Sequence, residues 1–183
     1  MFPLLDYSPG GGILFCMRYT YFTFCCILSV ILLGASCKFN PDIQGRGATA
    51  FQGIWEEEPL VYRDSLLQYT RHQFKFTCDS FYANLTTTSR VNYYEDSCYN
   101  QGIWKEYAKG NYVVSGDTIY FNGTFTKENF KQKLSGCYRI GQYLPVFLIK
   151  STSENTIELV DLEQHIPVTL KLKEKIICNP QPL

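Results

Sequence analysis

The sequence has few of the residues on which catalysis and metal binding usually depend. Its 183 residues include only two histidines, His72 and His165, and neither stands at a spacing typical of metal ligands. It has no Gly-x-Ser-x-Gly motif, phosphate-binding loop or dinucleotide fingerprint. The chain balances 17 basic against 17 acidic residues and has no basic block. We therefore expect no metal, no cofactor, no nucleic-acid partner and no catalytic residues, and enzyme activity is not favoured.

The N-terminal part has the layout of a bacterial lipoprotein signal. Arg18 is followed by an apolar stretch over residues 22–33, and the small residues 34–36 precede Cys37. This stretch is shorter than the ~20 residues that a helix needs to cross a bilayer. Widened to residues 19–35, it leaves a permanent membrane anchor as the alternative. The pattern predicts that residues 17–36 are a signal peptide and that Cys37 becomes the lipidated N-terminus.

The flanking segments complete the predicted organisation. Residues 1–16 contain an acidic residue, two prolines and three consecutive glycines but no basic residue, which indicates an over-extended start. Residues 37–49 lack periodicity and are predicted to be a lipidated, flexible tether. Residues 50–183 are long enough for one folded domain. We expect this domain outside the cytoplasm, anchored to a bacterial membrane, with the outer membrane favoured and either a periplasmic or a surface-facing position.

The remaining cysteines downstream of Cys37 predict disulfides. There are four of them, and an even number in an exported chain allows three connectivities. The four residues are Cys78, Cys98, Cys137 and Cys178. We favour Cys78–Cys98, which closes a short polar loop, together with Cys137–Cys178. A zinc site is the weaker alternative because no Cys-x-x-Cys spacing occurs.

From Ala50 onward the hydrophobic pattern predicts one strand after another. Phe74, Phe76 and Cys78 alternate with polar residues, and similar alternation recurs in residues 118–121, 156–160 and 167–173. Turn sequences separate these runs. One short helix is expected at residues 127–134. The pattern predicts an all-β fold, an antiparallel barrel of about eight to ten strands or a sandwich, and a barrel has no exposed strand edges.

Two similar segments each carry a Gly-x-Trp sequence. Gly53-Ile54-Trp55 opens the first predicted strand, and Gly102-Ile103-Trp104 repeats it in a second Gln-Gly-Ile-Trp stretch. The first motif, in a chain of short antiparallel strands, resembles the lipocalin and calycin superfamily. That resemblance implies that Gly53 and Trp55 close the base of a barrel. We expect Gly102 and Trp104 to plug a barrel end in the same manner, with coincidental strand chemistry as the alternative.

Three further stretches resemble small Gram-negative lipoproteins of unassigned function. They are residues 102–110, residues 116–119 and residues 135–138. Some of these lipoproteins carry a fumarate hydratase label. The catalytic loop of fumarases does not occur here and the chain is far too short for that fold, so we regard the label as an artefact.

The strongest positive signal for function is the content of 14 tyrosines. Tyrosine has an apolar body and a polar tip, which suits a binding surface, although it is also a good strand former. We expect a non-catalytic, lipocalin-like binding protein for a small apolar ligand or a protein partner; the ligand-binding residues are unknown. One alternative is a small hydrolase or hydratase that uses residues 56–58, Asp79 or His72 at the barrel mouth. Another is an inhibitor of a secreted protease that acts through residues 38–49.

Overall fold

Nine strands form most of the structure, a computed structural model that describes residues 43–182. The strands are β1 (Gly53–Glu57), β2 (Gln68–Thr77), β3 (Ser80–Ser89), β4 (Ile103–Ser115), β5 (Thr118–Thr126), β6 (Gln142–Tyr143), β7 (Val146–Thr152), β8 (Thr156–Asp161) and β9 (Pro167–Lys175). One short helix, α1, covers Asp96–Tyr99. Single 3-10 turns lie at Thr49–Phe51, Arg63–Ser65 and Asn100–Gly102. The predicted signal peptide and Cys37 lie outside the described residues.

Eight of the strands close into an antiparallel barrel. Each strand from β1 to β5 pairs with the next, and β5 then pairs with β7, β7 with β8 and β8 with β9. The barrel closes because β9 pairs back with β1, whereas β6 adds two residues beside β5. A barrel of eight strands has an interior just wide enough for side chains to fill. The predicted all-β, lipocalin-like antiparallel barrel is therefore confirmed.

Aromatic side chains fill the interior of the barrel. Alternation along β2 turns Phe74 and Phe76 inward, where both rings are fully buried. The Phe74 ring lies 5.1 Å from that of Phe121 and 6.3 Å from that of Phe147. These distances are typical of aromatic rings in direct contact, and such contacts add to the free energy gained by burial. The core is thus a packed aromatic cluster.

The two ends of the barrel differ in construction. At one end, the base, lie the chain entry at Ile43, the C-terminal segment and the tight turn between β2 and β3. The opposite end, called here the loop end, carries the four longer connections. These are residues 58–67, 90–102, 127–141 and 162–166. In a rigid barrel of this kind, functional residues are usually found in the long loops.

All four predicted cysteines form disulfides, but the predicted pairing is wrong. The structure joins Cys78 to Cys178 at the base and Cys98 to Cys137 at the loop end. The ten-residue strand β3 separates Cys78 from Cys98. At about 3.3 Å per residue this strand spans roughly 30 Å, far beyond the ~7 Å limit between the Cα atoms of a disulfide. Cys78 and Cys98 are close in sequence, which suggested a short loop between them. Their spacing does not reveal that β3 runs from one end of the barrel to the other.

The helix predicted at residues 127–134 is also wrong. This segment forms a turn in which the Lys127 backbone nitrogen donates to the Lys131 carbonyl at 2.9 Å. Phe130 adopts a positive φ of 57° and packs its ring against Tyr82, at 5.0 Å, on the outside of the barrel. The packing of this half-buried ring against the barrel outweighs the local helix preference. The described helix is α1 instead, a single turn beside Cys98.

Residues 43–49, the last part of the predicted tether, contact the base of the barrel. Ile43 forms a β-bridge with Pro182, and the Gln44 backbone nitrogen donates to the Gln181 carbonyl at 2.9 Å. The Gly45 nitrogen donates to the Asp79 carboxylate at 2.9 Å. The last residues of the predicted tether are therefore attached to the base. This leaves less free chain for the expected inhibitory segment.

Candidate functional site

The Glu57 carboxylate is buried at the point where β1 separates from β2. The two strands pair as far as Glu56, after which β1 continues only beside β9. The carboxylate fills the gap and accepts the His72 backbone N–H at 2.8 Å. The Tyr69 hydroxyl donates to its other oxygen. An unpaired buried carboxylate would be very costly, so these contacts stabilise its position.

The same carboxylate orients the imidazole of His72. The Nδ1 atom of His72 lies 2.7 Å from Glu57 Oε2, and an ionised carboxylate can only accept, so Nδ1 carries the hydrogen. The Nε2 atom has no partner among the described side chains. The ring stacks on Phe74 at 5.4 Å. The Glu57 carboxylate and the His72 imidazole thus form an oriented dyad with Nε2 free, an arrangement found in general bases.

A second buried carboxylate, Glu106, holds the loop of residues 127–141 in place. Arg139 donates to it from Nη2 at 2.7 Å, from Nε at 3.0 Å and from its backbone nitrogen at 3.0 Å. The Trp104 indole donates to the same carboxylate at 3.2 Å and stacks on Tyr138 at 5.4 Å. The Arg139 guanidinium also lies 4.6 Å from the centre of the Phe125 ring. Such forked and stacked contacts are specific to arginine.

His72 and Arg139 both line a small polar pocket between β2, β9 and the loop end. The pocket has a volume of about 80 Å³, and its walls include His72, Arg139 and Tyr143. Tyr143 is buried, and its hydroxyl has no hydrogen-bond partner within residues 43–182. Burial raises the pKa of Tyr143, while the nearby Arg139 charge lowers it. The pocket therefore presents the Arg139 guanidinium and the His72 imidazole beside an unsatisfied hydroxyl.

Two acidic side chains stand at the rim of this pocket. Asp161 and Glu163 line its outer part, at the turn between β8 and β9. One oxygen of Asp161 accepts the backbone nitrogens of Glu163 and Gln164, each at 2.8 Å. Asp161 thus stabilises the turn.

The structure separates the residues proposed for catalysis. Of the acidic run 56–58, only Glu57 faces His72; Glu56 pairs with Arg71 on the outer face at 2.6 Å, and Glu58 is exposed. Asp79 lies at the base, and His165 is exposed in the turn after β8. No group of three or more potential metal ligands occurs within residues 43–182.

The two Gly-x-Trp motifs lie at opposite ends of the barrel. Trp55 is fully buried near the base, and its indole donates to the Phe51 carbonyl at 2.7 Å. Trp104 lies near the loop end, because β4 runs antiparallel to β1 in the barrel. Gly53 and Gly102 both adopt positive φ, and a Cβ at either would meet a neighbouring carbonyl, at 2.6 Å for Gly53 and 2.2 Å for Gly102. Each glycine therefore admits a close backbone approach beside its tryptophan.

Sequence reasoning missed Arg139 and the role of Glu106. Glu106 shares its face of β4 with Trp104 and Ala108, and all three are buried. An acidic residue on the apolar face of an alternating strand was the signal that could have identified it. Arg139 lies in an irregular loop, so no periodicity marks it. The tyrosines are dispersed. Tyr69 and Tyr143 line the pocket, Tyr138 packs on Trp104, and others lie at the base or on the outer surface.

Comparison with protein-family models, curated proteins and solved structures found no match to this chain. The two disulfides suggest a location outside the cytoplasm, where such bonds persist. No helix within the described residues is both long and apolar enough to span a membrane.

Proposed function

We propose that this protein is an exported, lipid-anchored, lipocalin-like binding protein whose loop end receives a protein partner. Acyl chains on Cys37 anchor it to a bacterial membrane, with the outer membrane favoured. Its role is binding without catalysis. The disulfides and the closed barrel support this function, since they suit a stable module outside the cytoplasm.

The observation that carries the proposal is the combination of a polar pocket with apolar loops at one end. Thirteen large apolar residues are exposed in the described part of the chain, and seven lie in the loops of the loop end. These seven are Val61, Tyr62, Leu67, Tyr93, Leu134, Ile140 and Leu162. Exposed apolar side chains concentrated at one end of a protein favour a protein-binding surface there.

The size of the pocket favours a group displayed on a partner over a free ligand. Sites for small molecules usually measure about 300–1,000 Å³, whereas this pocket measures about 80 Å³. A side-chain carboxylate of a partner fits such a space and complements the Arg139 charge and the Tyr143 hydroxyl. A small apolar ligand has less support because aromatic rings fill the barrel interior.

Site-specific photo-crosslinking in the producing cell tests the proposed partner. A photoreactive residue at Ile140, in the loop end, is expected to capture one discrete protein. The same residue at Ile177, near the base, serves as control because it is even more exposed. Arg139→Gln combined with the probe at Ile140 is expected to abolish the crosslink. A lack of product at Ile140, or equal products at both positions, would contradict the proposal.

The lipid anchor is tested on the full chain by intact mass and by membrane fractionation. A species that begins at Cys37 with added acyl mass is expected in the membrane fraction. Cys37→Ser is expected to leave an unacylated chain and release the protein from that fraction. An unprocessed, unacylated wild-type chain would refute the proposed lipid anchor and would leave the binding proposal unaffected.

A second candidate function rests on the dyad of His72 and Glu57. An imidazole oriented by a buried carboxylate can act as a general base in a small hydrolase or hydratase. Hydrolysis of a panel of small esters, with His72→Gln as the matched variant, tests this candidate. Turnover that disappears in the variant while the fold persists would favour it, and equal background in both proteins would exclude it for these substrates.

A further inference from the structure

The outer face formed by β2, β3 and β4 carries only positive charge. Inward-facing residues alternate with outward-facing ones, and the outward positions of these strands include Arg71, Lys75, Lys105 and Lys109. The acidic residue within the three strands, Glu106, points inward and is buried. The whole chain is neutral, so its charges are segregated rather than absent. Such segregation creates a local positive field.

The strand register arranges these cations in two rows. One row runs from Arg71 through Thr86 to Lys105, and another from Lys75 through Tyr82 to Lys109. The rows are four residues apart along the strands, which corresponds to about 13 Å. A single compact anion cannot contact both rows, so the face suits a chain that carries several anionic groups.

Amide and aromatic side chains occupy the space between the two rows. Asn84 Nδ2 donates to Gln73 Oε1 at 2.7 Å, which leaves the Asn84 oxygen and the Gln73 amide hydrogens for a ligand. The Phe130 ring lies 5.0 Å from Tyr82 and 6.1 Å from Tyr107, so the three rings form one wall. Amides that bond hydroxyl groups and rings that pack on C–H faces are the chemistry of sugar recognition.

These side chains line a continuous groove on the outside of the barrel. Three adjoining depressions of about 280, 300 and 250 Å³ share Arg71 and Thr86 at one junction and Gln73 and Asn84 at the other. Together they reach the size of a site for a ligand of several rings.

Each acidic group around the groove contacts a donor, which is a cation for Glu56 and Asp64 but the uncharged Tyr107 hydroxyl for Glu128. Glu56 contacts Arg71 at 2.6 Å and Lys173 at 3.2 Å, and Glu128 accepts the Tyr107 hydroxyl at 3.0 Å. Asp64 lies 3.6 Å from Arg63 at the far end of the groove.

From this arrangement we infer that the outer face of β2, β3 and β4 binds an acidic oligosaccharide. Its carboxylate or sulfate groups contact the two cation rows, and its sugar rings lie between them against the amides and the aromatic wall. This site is separate from the loop end and does not depend on the proposed partner. The disulfides, which suggest a location outside the cytoplasm, favour a polysaccharide over a nucleic acid.

Binding of the full chain in detergent to heparin and polygalacturonate oligosaccharides tests the inference, with dextran as the neutral control. Wild-type protein is expected to bind both acidic ligands and to show no detectable binding to dextran. The double variant Lys105→Gln/Lys109→Gln is expected to bind at least about tenfold more weakly, with a shallower salt dependence. The control Lys150→Gln/Lys175→Gln removes the same charge elsewhere and is expected to change affinity less than about twofold. No binding by wild-type protein, or equal loss in both variants, would overturn the inference.

Asn84→Leu separates sugar recognition from simple charge attraction. We expect this variant to weaken oligosaccharide binding while leaving the binding of inorganic polyphosphate unchanged. If it changes neither, and single-stranded DNA or vesicles rich in phosphatidylglycerol bind more tightly than the oligosaccharides, the face serves another polyanion and the inference is wrong.

Discussion

Replacement of Tyr143 by phenylalanine is expected to stabilise the unliganded protein. The ring packs 5.3 Å from Phe125 and 5.8 Å from Phe81, and these contacts do not involve the hydroxyl. The hydroxyl itself is buried and has no hydrogen-bond partner in the described part of the chain. Burial of an unsatisfied hydroxyl costs about 1–3 kcal/mol. Tyr143→Phe removes this cost, so we expect the free energy of unfolding to rise by about 1 kcal/mol or more.

Urea unfolding followed by circular dichroism measures this change, with Tyr112→Phe as the matched control. Tyr112 is equally buried, but its hydroxyl accepts the Gln52 amide at 2.9 Å and the Ala48 backbone N–H at 3.2 Å. Loss of these bonds is expected to lower the free energy of unfolding by about 1–3 kcal/mol. The same chemical change should therefore have opposite signs at the two positions.

A loss of stability in Tyr143→Phe, with an unchanged dependence on urea concentration, would refute the reasoning. It would show that the hydroxyl is satisfied in solution and that the pocket is a hydrated structural feature. If the variant is more stable and also loses the crosslink at Ile140, the unsatisfied hydroxyl is kept for partner binding at a cost in stability.

Three other changes follow from the same contacts. Glu106→Ala leaves Arg139 and the Trp104 indole without their acceptor. Breaking a fully buried ion pair costs about 3–5 kcal/mol, but Arg139 is half-exposed and can turn to water. We therefore expect the free energy of unfolding in urea to fall by about 2 kcal/mol. The double change Cys98→Ser/Cys137→Ser opens a link between residues 39 apart and is expected to lower the free energy of unfolding by about 4 kcal/mol, with the circular dichroism of the barrel retained. Burial raises the pKa of Tyr112 to about 12. The folded state then holds this proton more tightly than the unfolded state, so stability is complete below pH ~10 and falls by up to about 3 kcal/mol as the pH rises to ~12. Tyr112→Phe should remove this part of the alkaline loss, and an unchanged loss would contradict the assignment.

The sequence was sufficient to predict the fold class because strand alternation is local. Phe74 and Phe76 show their inward direction within one strand, and closure follows from the need to pair every edge. The sequence also predicted that all four downstream cysteines form disulfides, because an even number of cysteines in a chain expected to be exported indicates such bonds.

Pairing and placement needed the tertiary structure. Cys78 and Cys98 are near each other in sequence, yet β3 carries them to opposite ends of the barrel. The segment 127–134 has helical composition, but the packing of Phe130 against Tyr82 accompanies a turn there instead. In both cases long-range packing opposed a local preference and was stronger.

For the candidate site too, the sequence predicted some features and the tertiary structure was needed for the rest. The sequence by itself determined a strand-rich, disulfide-bonded domain and offered His72 and Glu57 as ionisable candidates among several. Only the tertiary structure decided that these two meet at 2.7 Å, that Arg139 reaches Glu106 from residue positions 33 apart, and that four cations share one outer face. Local periodicity fixes which way a side chain points, whereas the closure of the barrel fixes which side chains it meets.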